Sequence, residues 1–174
     1  MIFVIHLIKM ISKKTLRSLN ICVKFFLIFT SMSISFYFDT ISKPSFFKAT
    51  AIKPWLKAIA AKEKFVIKEL NYIFLDDESL LKINIEYLNH DTYTDIITFD
   101  NSDASTGSAG KIESDIFISL ERVEANAKKF NTTFENELHR VLAHGLLHLC
   151  GYKDKTKKDA ALMRQKEEES LAML

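Results

Sequence analysis

Polar and apolar residues alternate through Ser33-Ile34-Ser35-Phe36-Tyr37-Phe38, which puts Ile34, Phe36 and Phe38 on one side of a first strand. Lys43-Pro44 breaks that pattern. A helical period follows: Trp55, Ile59 and Ala60 make the apolar stripe of a helix over roughly 51–63, with Pro54 suited to its first turn. Residues 64–75 (Lys-Phe-Val-Ile-Lys-Glu-Leu-Asn-Tyr-Ile-Phe-Leu) are rich in β-formers and read as a second strand. After Asp76 and Asp77, the positions Leu80, Leu81, Asn84, Ile85 and Leu88 suit an amphipathic helix over Glu78 to Leu88. Asp95 to Asp100 is a short apolar strand, and the stretch 101–110 is a polar, flexible loop. Lys111 to Leu120 resumes as a strand, and a helix runs on through Lys129. Thr132 or Thr133 caps the next helix, with Glu135 or Asn136 in its first turn. Thr156, with Asp159 three residues on, caps a last helix that reaches about Met173. Roughly four strands and five helices in mixed order predict an α+β fold: a small mixed sheet with helices packed against it. No repeat or linker divides it.

Composition adds two constraints. With 174 residues, 48% of them hydrophobic and 14 of them Phe, the chain can bury a sizeable single core. The net charge of +2 hides an asymmetry. Of 24 basic and 22 acidic residues, five basic (Lys9, Lys13, Lys14, Arg17, Lys24) and no acidic ones fall within 1–31, leaving 19 basic against 22 acidic. Residues 1–31 therefore read as an upstream extension, and 32–174 as the domain. The apolar stretch Ile21–Phe38 is interrupted by Lys24 and three serines and lacks a small-x-small cleavage site. It falls short of the ~20 mostly apolar residues of a spanning helix, so no membrane partner is expected. Nucleic-acid binding in the remainder would need a local basic patch. Cys22 and Cys150 make no disulfide framework, which suits a reducing compartment and a cytoplasmic location.

Candidate chemistry concentrates in His144-Gly-Leu-Leu-His-Leu-Cys-Gly-Tyr-Lys-Asp154. His144 and His148 lie within a helical apolar run and, four residues apart, share one face. Gly151 sits where a helix commonly ends on a left-handed glycine, and the reversal can return Asp154 to the two rings. Two imidazoles, one carboxylate and an open position are the donor set of a catalytic zinc site; a structural site is usually closed by four ligands. Buried histidines that merely hydrogen-bond are the competing reading. In His-Glu-x-x-His peptidases the Glu beside the first ligand is the general base; here Gly145 holds that place, so a peptidase lacks its base.

The same stretch resembles the signature of the YbeY family, bacterial factors of ribosomal RNA maturation: His-Gly-x-Leu-His-Leu-x-Gly-Tyr with a third ligand ten residues after the first. Leu88-Asn89 with Thr94-Asp95-Ile96-Ile97-Thr98-Phe99 resembles that family's second motif, and Ser114-Asp115-Ile116-Phe117-Ile118 its third. Together they span most of 88–154. The resemblance implies an α+β domain whose metal helix lies against the sheet. It also implies a metal-dependent, single-strand-specific endoribonuclease acting on ribosomal RNA, at the 3′ end of the small-subunit RNA, and in ribosome quality control. Ribosomal RNA and the small subunit or its assembly proteins would be the partners.

Two departures stand out. The usual third ligand is His, whereas Asp154 makes this a harder, more negative site that zinc tolerates and that also suits manganese or iron. The family's Arg after Leu-Asn is missing from the short loop Asn89-His90-Asp91-Thr92-Tyr93, where His90 by phosphate contact or Tyr93 by stacking would stand in. The expected metal ligands are thus His144, His148 and Asp154 for one Zn2+. Asp95 and Asp115 are candidates for the general base or for lining the cleft, unless they are strand-end carboxylates bound to backbone amides. Thr98 is a candidate phosphate donor. His139 should face away from His144. Arg140 and Lys153 would lend positive charge, and the mixed charges of the last helix suggest a solvated face. The missing Arg and unassigned base motivate a second expectation, a non-catalytic ribosome-assembly factor with a structural metal.

Overall fold

The computed structural model describes residues 33–102 and 110–174. The extension read over 1–31 and most of the polar loop lie outside the described residues. Among the described residues nine elements follow in the order β1 (Ser33–Phe38), α1 (Ala49–Lys62), β2 (Val66–Leu75), α2 (Asp77–Leu88), β3 (Ile96–Asp100), β4 (Lys111–Ser119), α3 (Leu120–Lys129), α4 (Phe134–Leu149) and α5 (Lys157–Leu171).

The strands lie in the spatial order β1-β2-β4-β3. β1, β2 and β4 are parallel neighbours, and β3 pairs antiparallel with β4 at one edge. This is the mixed sheet of an α+β fold. Parallel neighbours need a crossover, and α1 supplies the one between β1 and β2. Alternation assigns the two faces. Leu70, Tyr72 and Phe74 of β2 and Ile112, Ile116 and Ile118 of β4 join Leu56 and Ile59 of α1 and Leu138, Leu142 and Leu146 of α4 in the main core. Leu75 and Ile97, with Ile73, Phe99 and Phe117, form a smaller core with Leu80 and Ile83 of α2 on the other face. A register shift between Ile67 and Glu69 leaves Lys68 as an extra residue, so both Ile67 and Leu70 are buried although three apart.

Helix starts follow the caps. Asp76, Ser119, Thr133 and Thr156 each accept a hydrogen bond from the backbone N–H three residues on. Thr133 is therefore the cap of α4, with Glu135 and Glu137 in its first turn. Two expectations shift. α1 begins at Ala49, because Ile52 joins Trp55 and Leu56 in the core, and Pro54 consequently falls inside the helix. It has no N–H to give back to the Thr50 carbonyl. In α2, Ile85 and Leu88 are 45% and 43% exposed, since that helix covers only a small cluster. No helix among the described residues is long and apolar enough to cross a membrane.

Candidate metal centre

Helix α4 lies against the sheet through its glycine. A Cβ on Gly145 would stand 2.7 Å from Ile96 Cδ1 and 3.1 Å from Ile116 Cδ1. The position after the first candidate ligand thus points into the sheet, and the glutamate of a peptidase would be driven into Ile96 and Ile116 there. The hydroxyl of Tyr72, wholly buried, donates to the Leu142 carbonyl at 3.0 Å and ties the middle of the helix to β2.

The C-terminus of α4 does more than stop the helix. Gly151 takes φ +95°, its N–H bonding the His148 carbonyl at 2.9 Å while the Tyr152 N–H reaches Leu147 O at 3.1 Å. This pair of bonds is the glycine-terminated helix end expected there. It turns the Tyr152 carbonyl back onto His148 Nδ1 at 2.9 Å. A carbonyl can only accept, so Nδ1 of His148 carries the proton and Nε2 a lone pair. His144 Nδ1 meets Glu167 Oε1 of α5 at 2.6 Å. Burial alone would raise the pKa of Glu167; the bond to His144 and the charge of Arg140 outweigh it and hold the group below its ordinary value. An ionised Glu167 likewise accepts a hydrogen bond from Nδ1–H, which leaves the lone pair of the neutral His144 ring on Nε2.

The two Nε2 atoms face each other at 2.9 Å. Asp154 Oδ2 lies 3.8 Å from His144 Nε2 and 3.6 Å from His148 Nε2. Three donor atoms bonded at 2.0–2.2 Å to one tetrahedral ion stand roughly 3.3–3.6 Å apart. The spacings here bracket that range, the two nitrogens closer by about 0.4 Å and one nitrogen–oxygen pair wider by about 0.2 Å, so small side-chain shifts let the set hold a divalent cation. With Nδ1 of each ring engaged elsewhere, two Nε2 lone pairs of the neutral imidazoles and a carboxylate turn toward one point. The group is half-buried at the histidines and open at Asp154, which is 45% exposed.

The remaining expected residues disperse. Thr98 registers with Ile116, and so lies on the α4 face of β3. Asp95 precedes β3; its carbonyl accepts from the Ser119 N–H, and its carboxylate takes Asn126 Nδ2 at 3.2 Å. Asp115 registers with Phe99 and next to Asn71, on the face of the smaller core, and accepts from Asn71 and Asn101 at 2.9 Å each. Strand alternation thus sends Asp115 away from α4, and a base role for it loses its geometry. His139 turns from His144 and packs edge-on to Trp55 at 5.5 Å. Tyr93 has Arg122 over its ring at 4.8 Å and its hydroxyl on Glu78, so one face and the polar tip are already engaged.

Two expectations are corrected. Arg140 is no solvated charge beside the cleft: Glu137 grips it twice and Glu167 once. The last helix is no purely solvated face either, for Met163, Glu167 and Ser170 are buried at helical spacing. That stripe, with a carboxylate at its centre, was the available signal for Glu167. Beyond the turn, Tyr152 donates to Glu63, which Lys166 also binds. Burial, reinforced by nearby Glu63, pushes the Cys150 thiol up to about 12, which makes it a poor nucleophile at neutral pH.

A model of the family described as Endoribonuclease YbeY matches residues 38–174, which takes in every described element after β1. The chain belongs to the YbeY endoribonuclease family. A YbeY endoribonuclease of Cytophaga hutchinsonii is 54% identical over 138 residues, covering 79% of this chain and 94% of the relative. That of Flavobacterium johnsoniae is 58% identical over 123 residues, 71% of this chain and 85% of the relative. That of Porphyromonas gingivalis is 45% identical over 141 residues, 81% and 89%. The solution structure of the Thermotoga maritima protein TM1509 superposes with a TM-score of 0.57 at 27% identity, covering 79% of this chain and 87% of that one. YbeY membership makes the reaction class hydrolysis of RNA phosphodiester bonds, and the His144–His148–Asp154 group is able to hold the metal ion of such an enzyme.

Proposed function

We propose that this YbeY protein cuts single-stranded RNA at the His144–His148–Asp154 centre, acting in the maturation of ribosomal RNA at the 3′ end of the small-subunit RNA and in ribosome quality control. The observation that carries the reading is the convergence of two Nε2 atoms and one carboxylate, with both Nδ1 atoms engaged elsewhere. A divalent cation held by these three residues would lower the pKa of a bound water towards neutrality and would offer positive charge to the phosphate. Zinc matches the two nitrogens, and the carboxylate admits manganese or iron.

The protein's own residues do the rest. His144 and His148 present lone pairs from a rigid helix, and their orientation is set by Glu167 and by the turn at Gly151. The exposed side at Asp154 leaves room for a phosphodiester. Thr98, which shares the α4 face of the sheet, is the residue we assign to donate a hydrogen bond to a phosphate oxygen. Asp95, at the start of that edge strand, is the acidic residue we assign to accept a proton from the attacking water. The setting we infer is the cytoplasm, with the small ribosomal subunit or its assembly proteins as partners. Cleavage of a single-stranded RNA, scored beside metal content and melting temperature for wild type, His144→Ala and His148→Ala, tests the reading. Loss of metal and of cleavage together supports it. Metal that stabilises the wild type without any cleavage would identify an assembly factor with a structural ion instead.

A further inference from the structure

Glu137, Arg140 and His144 occupy one face of α4 at intervals of three and four residues, and Glu167 of α5 closes on Arg140 and His144. Arg140 Nε donates to Glu137 Oε2 at 2.9 Å, a second guanidinium N–H reaches Glu137 Oε1, and Nη1 reaches Glu167 Oε2 at 3.4 Å. The other Glu167 oxygen binds His144 Nδ1 at 2.6 Å. Glu137 and Glu167 are 1% and 3% exposed, which is rare for carboxylates unless a partner holds each one. Glu137 and Glu167 share the buried guanidinium of Arg140, the largely exposed Arg164 reaches Glu167 Oε2 at 3.6 Å, and the other Glu167 oxygen faces the imidazole. The other histidine is backed only by the neutral Tyr152 carbonyl. The two ligands are therefore unequal.

We propose that Glu167 is a positioning residue of the metal centre: it fixes the Nδ1–H tautomer of His144, strengthens Nε2 as a donor, and is itself held in place by the Glu137–Arg140 pair. This rests on the reading of His144 and His148 as ligands. A carboxylate behind a ligating histidine orients the ring and raises its basicity. Here it makes the C-terminal helix part of the site, though no residue of α5 belongs to the ligand group.

The test uses the full chain, Zn2+ and the variants Glu167→Ala, Glu167→Gln and Met163→Ala. Zn2+ affinity is read by chelator competition, and the histidine tautomers of the metal-free protein by long-range 1H–15N correlation. In wild type both rings should carry the proton on Nδ1. Glu167→Ala should weaken Zn2+ binding on the order of ten- to a hundred-fold and release the His144 tautomer while leaving His148 unchanged. Glu167→Gln keeps an accepting oxygen, so it should retain the tautomer and lie between the two in affinity. Met163, 2% exposed on the same helix, has no polar contact to offer; its truncation should lower the melting temperature with affinity within about two-fold of wild type. Unchanged affinity and tautomer in Glu167→Ala would overturn the proposal, as would equal weakening in Met163→Ala. A wild type that takes up no Zn2+ would overturn the ligand reading itself, which separates the two failures.

Discussion

Gly145→Val tests how closely the metal helix is seated. A Cβ at this position already lies 2.7 Å from Ile96 Cδ1, with Ile116 Cδ1 at 3.1 Å and Ile116 Cγ2 at 3.4 Å. Carbon contacts are most favourable at about 3.5–4.0 Å, so the first of these is short by roughly 1 Å. Two further methyls must then fit between α4 and the sheet. Overpacking of this kind costs about 1–3 kcal/mol, and three added carbons belong at the upper end. Replacing glycine by valine inside a helix returns only a few tenths of a kcal/mol, about 0.3. The net expectation is a loss of about 2.5 kcal/mol in urea unfolding, with weaker metal binding because His144 is the adjacent residue. Gly145→Ala is the calibrating variant. There a helix-propensity gain of about 1 kcal/mol opposes the displacement of one methyl at the end of the half-buried Ile96 side chain. It should remain within about 1 kcal/mol of wild type. A valine variant as stable as wild type would refute the reasoning, since α4 could not then lie on Ile96 and Ile116 as described.

Two smaller predictions concern what holds the site's scaffold. Tyr72→Phe removes the buried hydroxyl that reaches Leu142 O at 3.0 Å, and should cost about 1 kcal/mol in denaturant unfolding with little change in metal content; no loss would mean that the bond contributes nothing. Burial alone would raise the pKa of Glu63, but the hydrogen bonds from Tyr152 and Lys166 outweigh it and leave it below the ordinary 4.5. A depressed carboxylate stabilises the fold above the unfolded value and loses that contribution as pH falls through the folded one. Glu63→Gln should therefore be less stable than wild type at pH 7, with the gap closing below about pH 4.5; a gap that widens with acid would contradict the assignment.

Much of the site was legible because it is local. The His144–His148 spacing, the helix-ending Gly151 and the returning Asp154 all fall within eleven residues, and periodicity with one turn rule suffices to assemble them. Strand alternation was equally readable in Ser33–Phe38. What depends on pairing between distant segments was not. The face on which Asp115 lies is decided by its register with Phe99, and no local pattern contains that register. Glu167 was concealed in a run of three glutamates, where its burial follows only from the packing of α5 on α4. Arg140 looked like a free surface charge because its partners are the buried Glu137 and a residue 27 positions away. Pro54 falls beyond the first turn because tertiary burial of Ile52 pulls the helix start two residues upstream, from about 51 to Ala49.

The central claim is that two imidazoles and one carboxylate hold a single catalytic ion. Elemental analysis of the full chain after reconstitution with Zn2+ or Mn2+, set beside His144→Ala/His148→Ala and Asp154→Ala, tests it most directly. One ion per wild-type chain, none in the double histidine variant and weakened retention in Asp154→Ala is the predicted result. An ion retained at full stoichiometry without the two histidines would contradict it.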